Sequence, residues 1–214
     1  MFLLYFGGSS CIEIISYIND LKISHKNDII YIVDKKPSKK LFKQIKNKIL
    51  FYKSINKIKK IKFKKIFITA GDPHLRNKAL IELKKNKLRP NTLIHPTAYV
   101  AENSKISYGS ILAPFTLVAP FSKIGENCFM NSYSSIGHHS IIGKSNVLSP
   151  YSTINGNCEI GNENFLGTGA IISPSTKIGK NNKLSSNSVL KKNVTNDCLI
   201  HGNPAKAKSF FLKS

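Results

Sequence analysis

From residue 94 onward, every sixth residue of the chain is apolar. The series runs Ile94, Val100, Ile106, Leu112, Val118, Ile124, Met130, Ile136, Ile142, Leu148, Ile154, Ile160, Leu166, Ile172, Ile178, Leu184 and Leu190 without a break. Two residues before each stands a small side chain, such as Ser104, Ser110, Thr116, Ser122, Cys128 and Ser134. Glycine often follows the apolar residue, as at Gly125, Gly137, Gly143, Gly161, Gly167 and Gly179. A period of six fits neither the 3.6 of an α-helix nor the 2 of a two-faced strand. It predicts a solenoid. Each six-residue step makes one flat face and one corner, the apolar residue points inward, and glycine gives the corner its permissive torsions. Three steps close one coil, and the span from 94 to 190 makes a prism about 25 Å long at roughly 4.8 Å per coil.

Residues 1–90 follow a different pattern, of alternating strands and helices. The run Phe2-Leu3-Leu4-Tyr5-Phe6 predicts a strand ended by Gly7-Gly8. Ile12, Ile15, Ile18 and Leu21 then recur at helical spacing. Ile29 to Val33 predicts a second strand closed by Asp34, and Lys65 to Ala70 another closed by Gly71. Asp72 is placed to cap a helix running to about Asn86, with Ala79, Leu80 and Leu83 on its buried face. Such strand-loop-helix units predict a small parallel sheet. The stretch Lys36 to Lys65 is rich in lysine and shows no clear period.

Composition narrows the chemistry. The chain has 214 residues and a formal charge of +22. Such a charge suggests nucleic acid. Yet Arg76 and Arg89 are its only arginines, and arginine makes the forked contacts to bases and phosphates. Abundant Lys, Ile and Asn instead suggest a compositional bias, so no nucleic-acid partner is expected. No apolar run reaches the roughly 18 residues of a membrane span, and no basic residue precedes the first apolar run. The expectation is a cytoplasmic protein without membrane insertion. Cys11, Cys128, Cys158 and Cys198 form no C-x-x-C pair, so neither a disulfide nor a metal site is expected.

The six-residue repeat resembles that of the left-handed parallel β-helix acyltransferases, over residues 91–206. With the N-terminal half included, nearly the whole chain resembles the sugar acyltransferases typified by bacillosamine N-acetyltransferase, perosamine N-acetyltransferase and sialic acid O-acetyltransferase. The resemblance implies an α/β Rossmann-like domain over 1–90, an all-β left-handed parallel β-helix over 91–206 and a C-terminal tail over 207–214. It also implies a homotrimer with active sites between subunits, acetyl-CoA as acyl donor, and a nucleotide-linked sugar on the N-terminal domain.

The resemblance points to Asn131 and His138 as the matching residues of the family's base motif, with His138 as general base. Histidine can take a proton from an attacking amine or hydroxyl near neutral pH. The family places an acidic residue after the base, and here that residue is His139, which is counted with His138 and Asn131 as a catalytic candidate. By register, Gly156 supplies the oxyanion donor, and Gly156, Thr168 and Ser186 line the acetyl-CoA site. A histidine that lines this groove in the family is replaced here by Val147. Lys206, in the Gly202-Asn203-Pro204-Ala205-Lys206 ending, is expected at the CoA phosphates. Gly7, Gly8 and Ser9 match the family's phosphate-side loop, where glycine and a helix N-terminus favour anions. Asp34 and Lys35 are expected at the nucleotide, as are Gly71 and Arg76.

The resulting expectation is N-acetylation of a nucleotide-linked sugar for surface glycan biosynthesis. A sugar O-acetyltransferase and a non-catalytic β-helix scaffold are the alternatives.

Overall fold

The computed structural model describes residues 1–25 and 27–210. Four parallel strands form the N-terminal sheet: β1 (Phe2–Tyr5), β2 (Ile30–Val33), β3 (Ile49–Tyr52) and β4 (Lys65–Ile68), in the order β3-β2-β1-β4. Helix α1 (Ser9–Asp20) follows β1, and α2 (Pro73–Lys85) follows β4. The Asp72 carboxylate accepts the Leu75 N–H at 2.9 Å and starts α2, which buries Ala79, Leu80 and Leu83. The lysine-rich stretch contains β3 at the sheet edge. All four of its residues are only half-buried, which is why no buried period shows in the sequence.

Seventeen two-residue strands follow, β5 (Leu93–Ile94) through β21 (Val189–Leu190). They stack in register every 18 residues, as in Ile136↔Ile154 and Ile154↔Ile172. This divides the seventeen strands into three parallel stacks of six, six and five around a triangular core, an arrangement that fits the left-handed β-helix, and a C-terminal hairpin extends one stack of six to an eight-stranded sheet. The repeat's apolar residues fill the core from Leu112 to Leu190. Ile94, at the open first coil, is exposed because no coil lies above it. The other end is covered by a hairpin of β22 (Cys198–Gly202) and β23 (Ala205–Ser209), which adds Ile200 to the core. The segment from 207, expected as a tail, therefore continues as strand through Ser209; residues 211–214 lie outside the described residues.

From Gly109 to Asn187, each corner turns through a residue in the left-handed region, and most of these are not glycine: Phe115, Tyr133, His139, Asn157 and Glu163 all have φ near 60°. The glycines after the apolar residues have another role. A β-carbon on Gly125 or Gly161 would stand 2.6 Å from the backbone of the next coil. Close packing of coils, not torsional freedom, selects glycine there. The small residues before the apolar ones also join coils. The Ser122 hydroxyl donates to Ala119 O at 2.7 Å and to Gly137 O, in the next coil, at 3.0 Å.

The N-terminal unit rests on the eight-stranded face. Outward residues of that face, Leu93, Ile111, Phe129 and Val147, share a core with Phe2, Leu4, Ile14 and Ile18. At the next outward positions, Phe165 packs against that cluster, and Lys183 is exposed.

Candidate active site

His138 and His139 sit at the vertex between the six-stranded and five-stranded faces, in the turn between Ile136 and Ile141. That vertex lies opposite the face carrying the N-terminal unit. Both rings are exposed, and their Nδ1 atoms are 3.1 Å apart. The His139 ring also leans on Phe121, with centroids 4.8 Å apart. His138 lies over Gly156, its equivalent one coil on: a β-carbon at 156 would stand 2.7 Å from both Cε1 and Nε2. Only glycine leaves room for this ring.

Asn131 is not beside His138. It belongs to another vertex, where its side-chain oxygen accepts the Ser132 N–H at 2.8 Å. Thr168 and Ser186 are exposed at that same vertex, one coil apart. Exposed stacked rings of Phe115, Tyr133 and Tyr151, each pair 4.9 Å apart, lie at this vertex as well. The two vertices bound the six-stranded face. On the five-stranded face, an open trough of about 580 Å³ is lined by Ile141, Glu159, Lys177 and Thr195. Lys206 is exposed on β23, opposite His201. Val147 is buried in the core shared with the N-terminal unit and lines no open groove.

A second cluster forms where β1, β2 and β4 end. Gly7, Gly8, Asp34 and Gly71 are brought together there. The Gly7 N–H donates to Asp34 Oδ2 at 2.8 Å, and the Lys36 N–H donates to Oδ1 at 2.9 Å. Asp34 thus braces its own loops. A β-carbon on Gly71 would meet the Ser10 hydroxyl at 3.3 Å, whereas one on Gly8 would meet nothing within 4 Å. The open N-terminus of α1, at Ser9, has no side-chain cap. Beside this cluster, Lys35 lines a cleft of about 320 Å³ with Tyr5, Lys53, Lys78 and Glu82. Burial, with Glu82 close by, pushes the Tyr5 phenol well above its ordinary range. The sequence did not single out Lys53 or Lys78, because two more lysines among 31 carry no local signal.

Arg76 corrects an expectation. It is fully buried and reaches no open surface. Its guanidinium donates to Ile68 O, Ala70 O, Asn127 O, Gly109 O and Asn127 Oδ1 at 2.8–3.4 Å. The Asn127 amide donates back to Arg76 O at 2.9 Å. Burial pushes the guanidinium down to about 9, still charged at neutral pH. All its donors are spent on backbone and Asn127, so Arg76 joins α2 to the prism and binds no substrate. Lys84 to Glu126 at 2.8 Å and Asn77 to Glu163 at 2.9 Å add to the same contact.

Three solved structures superpose on nearly the whole chain. A histidine-to-asparagine mutant of perosamine N-acetyltransferase from Caulobacter crescentus, in complex with CoA and GDP-perosamine, has a TM-score of 0.86 at 20 % identity. The match covers 97 % of this chain and 96 % of that one. This chain shares its fold. The acetyltransferase domain of PglB from Neisseria gonorrhoeae FA1090, in complex with acetyl coenzyme A, matches at 0.86 and 18 % identity over 97 % and 98 % of the two chains. WeeI from Acinetobacter baumannii AYE matches at 0.85 and 22 % identity over 97 % and 99 %. No protein-family model matches the chain, and no curated protein sequence does. Among the described residues, no group of three or more His, Cys, Asp or Glu is placed to hold a metal, and no helix is long and apolar enough to cross a membrane.

Proposed function

We propose that the protein is an acetyl-CoA-dependent acyltransferase that acetylates an amino group of a nucleotide-linked sugar, with His138 as general base. The observation that carries this is the His138 ring held over Gly156. Nε2 of His138 makes no hydrogen bond among the described residues. The Gly156 N–H donates to no carbonyl there either. A proton acceptor and a backbone donor therefore lie side by side, as acyl transfer requires. The amine attacks the thioester carbonyl while Nε2 takes its proton. The tetrahedral oxyanion accepts the Gly156 N–H. Collapse breaks the C–S bond, and the proton passes from His138 to the departing CoA sulfur.

The fold likeness supports the choice of substrates. The perosamine enzyme's crystal holds CoA and GDP-perosamine, and the PglB domain's holds acetyl coenzyme A. In this chain, the pantetheine amides would meet Gly156 at one vertex and the Thr168 and Ser186 vertex of a neighbouring copy, with Lys206 toward the phosphates. The order β3-β2-β1-β4 supports a Rossmann-like reading of residues 1–90, with the nucleotide at Gly8, Ser9 and Lys35. Because the N-terminal unit and His138 lie on opposite sides of one prism, a sugar held by one copy reaches the histidine of another. This supports a homotrimer with shared sites.

The test is CoA release from acetyl-CoA with a panel of nucleotide-linked amino sugars, comparing wild type with His138→Ala. Turnover lost in the variant supports the reading. Turnover that survives the substitution removes His138 as base, and no turnover on any amino sugar overturns N-acetylation.

A further inference from the structure

Two adjacent imidazoles that meet through Nδ1 atoms 3.1 Å apart cannot both carry a proton there, nor both lack one. A hydrogen bond needs one donor and one acceptor, and a neutral imidazole offers one of each. The rings cross at 84°, so the contact is made by ring edges. Both backbones are held, and each ring has a neighbour. His139 has φ 58°, donates its backbone N–H to Pro120 O at 3.0 Å and leans on Phe121. The carbonyl of His138 accepts the Asn157 N–H at 2.8 Å, and its ring lies against Gly156. No ion pair reaches either ring among the described residues. The acidic residues flanking the pair in sequence are engaged elsewhere: Glu126 with Lys84 and Glu159 with Lys177, both at 2.8 Å.

Two proton arrangements satisfy the contact. In one, His139 donates from Nδ1, and His138 then carries its proton on Nε2, beside Gly156. That sets an N–H against the Gly156 backbone donor and leaves nothing to receive a proton. In the other, His138 donates from Nδ1, and its Nε2 is a bare lone pair beside Gly156.

We propose that neutral His139 is a positioning residue whose Nδ1 accepts the Nδ1–H of His138, holding His138 in the tautomer that leaves Nε2 unprotonated over Gly156. The choice between the two arrangements rests on the acyltransferase reading; the existence of the pair rests on geometry alone. A carboxylate would set the same tautomer and add charge. The imidazole sets the tautomer without charge. The Nδ1–H bond then stays in place when Nε2 takes up a proton, with no ring flip.

The chain contains precedents for the two variants that test this. Phe121 and Glu163 hold the same corner conformation as His139, with φ 61° and 58°. His139→Phe therefore keeps the backbone and a ring against Phe121 but removes the acceptor. His139→Glu restores an acceptor. The first measurement is the imidazole nitrogen shifts in long-range proton–nitrogen correlation spectra of the ¹⁵N-labelled full chain, without substrate. The expected result is Nδ1–H on His138 and Nε2–H on His139, with His138 losing its fixed tautomer in His139→Phe. Nε2–H on His138 in the wild type overturns the proposal. In turnover, His139→Phe is expected to lower kcat about a hundredfold, the lower end of a general base's contribution. KM for both substrates should hold, and His139→Glu should restore kcat. A wild-type kcat in His139→Phe overturns it. The spectra need no turnover, so failure of the sugar panel overturns the functional reading and leaves the histidine pair standing.

Discussion

The ring of His138 occupies the space that a side chain at position 156 would need. A β-carbon on Gly156 would stand 2.7 Å from two atoms of that ring. The ring is the end of a rotatable side chain, so it moves and the coil survives. Gly156→Ala should thus displace the proposed base and leave the fold intact. The expected outcome is a kcat lowered by about two orders of magnitude, the cost of roughly 1 Å of misplacement, with an unchanged melting temperature. Gly125→Ala is the contrast. Its β-carbon would meet the Gly143 backbone at 2.6 Å, which cannot swing aside, so that variant should melt early. Circular dichroism melts and a CoA-release assay on both variants check the pair.

Arg76 is a prediction about stability. Replacing it with Met removes a buried cation and strips five acceptors of their donor. Each buried acceptor left unmatched costs about 1 kcal/mol or more, so a loss of at least about 3 kcal/mol is expected in urea unfolding. Arg76→Lys should recover little, because one ammonium cannot span carbonyls on β4, α2's approach and two coils.

Acid should weaken the fold through two carboxylates. The His25 backbone N–H, the N-terminal amine and Lys64 hold Asp28 below the usual carboxylate range. Lys84 does the same for Glu126. Both pKa values are depressed on folding, so their stabilisation is full above the ordinary carboxylate range and is lost as pH falls through and below it. Melting temperature should therefore fall from about pH 5 downward. In the double variant Asp28→Asn, Glu126→Gln that fall should be shallower. An identical slope in the two proteins would refute the assignment.

Tyr133 is stacked between Phe115 and Tyr151, 4.9 Å from each. Tyr133→Ala removes both ring contacts at an exposed corner. The expected cost is about 1 kcal/mol, read as a drop of about 2–4 °C in a thermal melt.

The proposed sharing of sites between copies predicts complementation. His138→Ala spoils the vertex, and Gly8→Glu puts a carboxylate at the open N-terminus of α1, where nothing lies within 4 Å to hinder it. Each variant alone should be inactive. Coexpressed in equal amounts, they should recover about a quarter of wild-type turnover if random mixing pairs intact halves. No recovery would place both halves of the site in one chain.

The prism was legible because its signal is repeated: a stack of equivalent residues leaves the same mark seventeen times. The Asp72 cap was legible because its bond spans three residues. Arg76 was not. Its partners lie up to 51 residues away and are mostly carbonyls, which every residue possesses. Asn131 and His138 are seven residues apart in sequence, yet one corner step carries them to different vertices. The function of the corner glycines is hidden in the sequence for a related reason. Composition records that glycine is present, and only the neighbouring coil, 18 residues on, shows that space is what it supplies.

Stacking also makes the prism a ruler. Every coil has the same cross-section, so an 18-residue insertion between Ile94 and His138 would keep each side chain on its own face and vertex. Placed after Met130, it would slide the histidine pair one rung, roughly 4.8 Å, along the axis relative to Leu93, Ile111 and Phe129, on which the sheet docks. The direction in which His138 points is thus set by position within a coil, and its height by counting coils. In the proposed trimer, reach toward a neighbouring copy can be tuned in discrete steps without redesigning the chemistry proposed at the vertex.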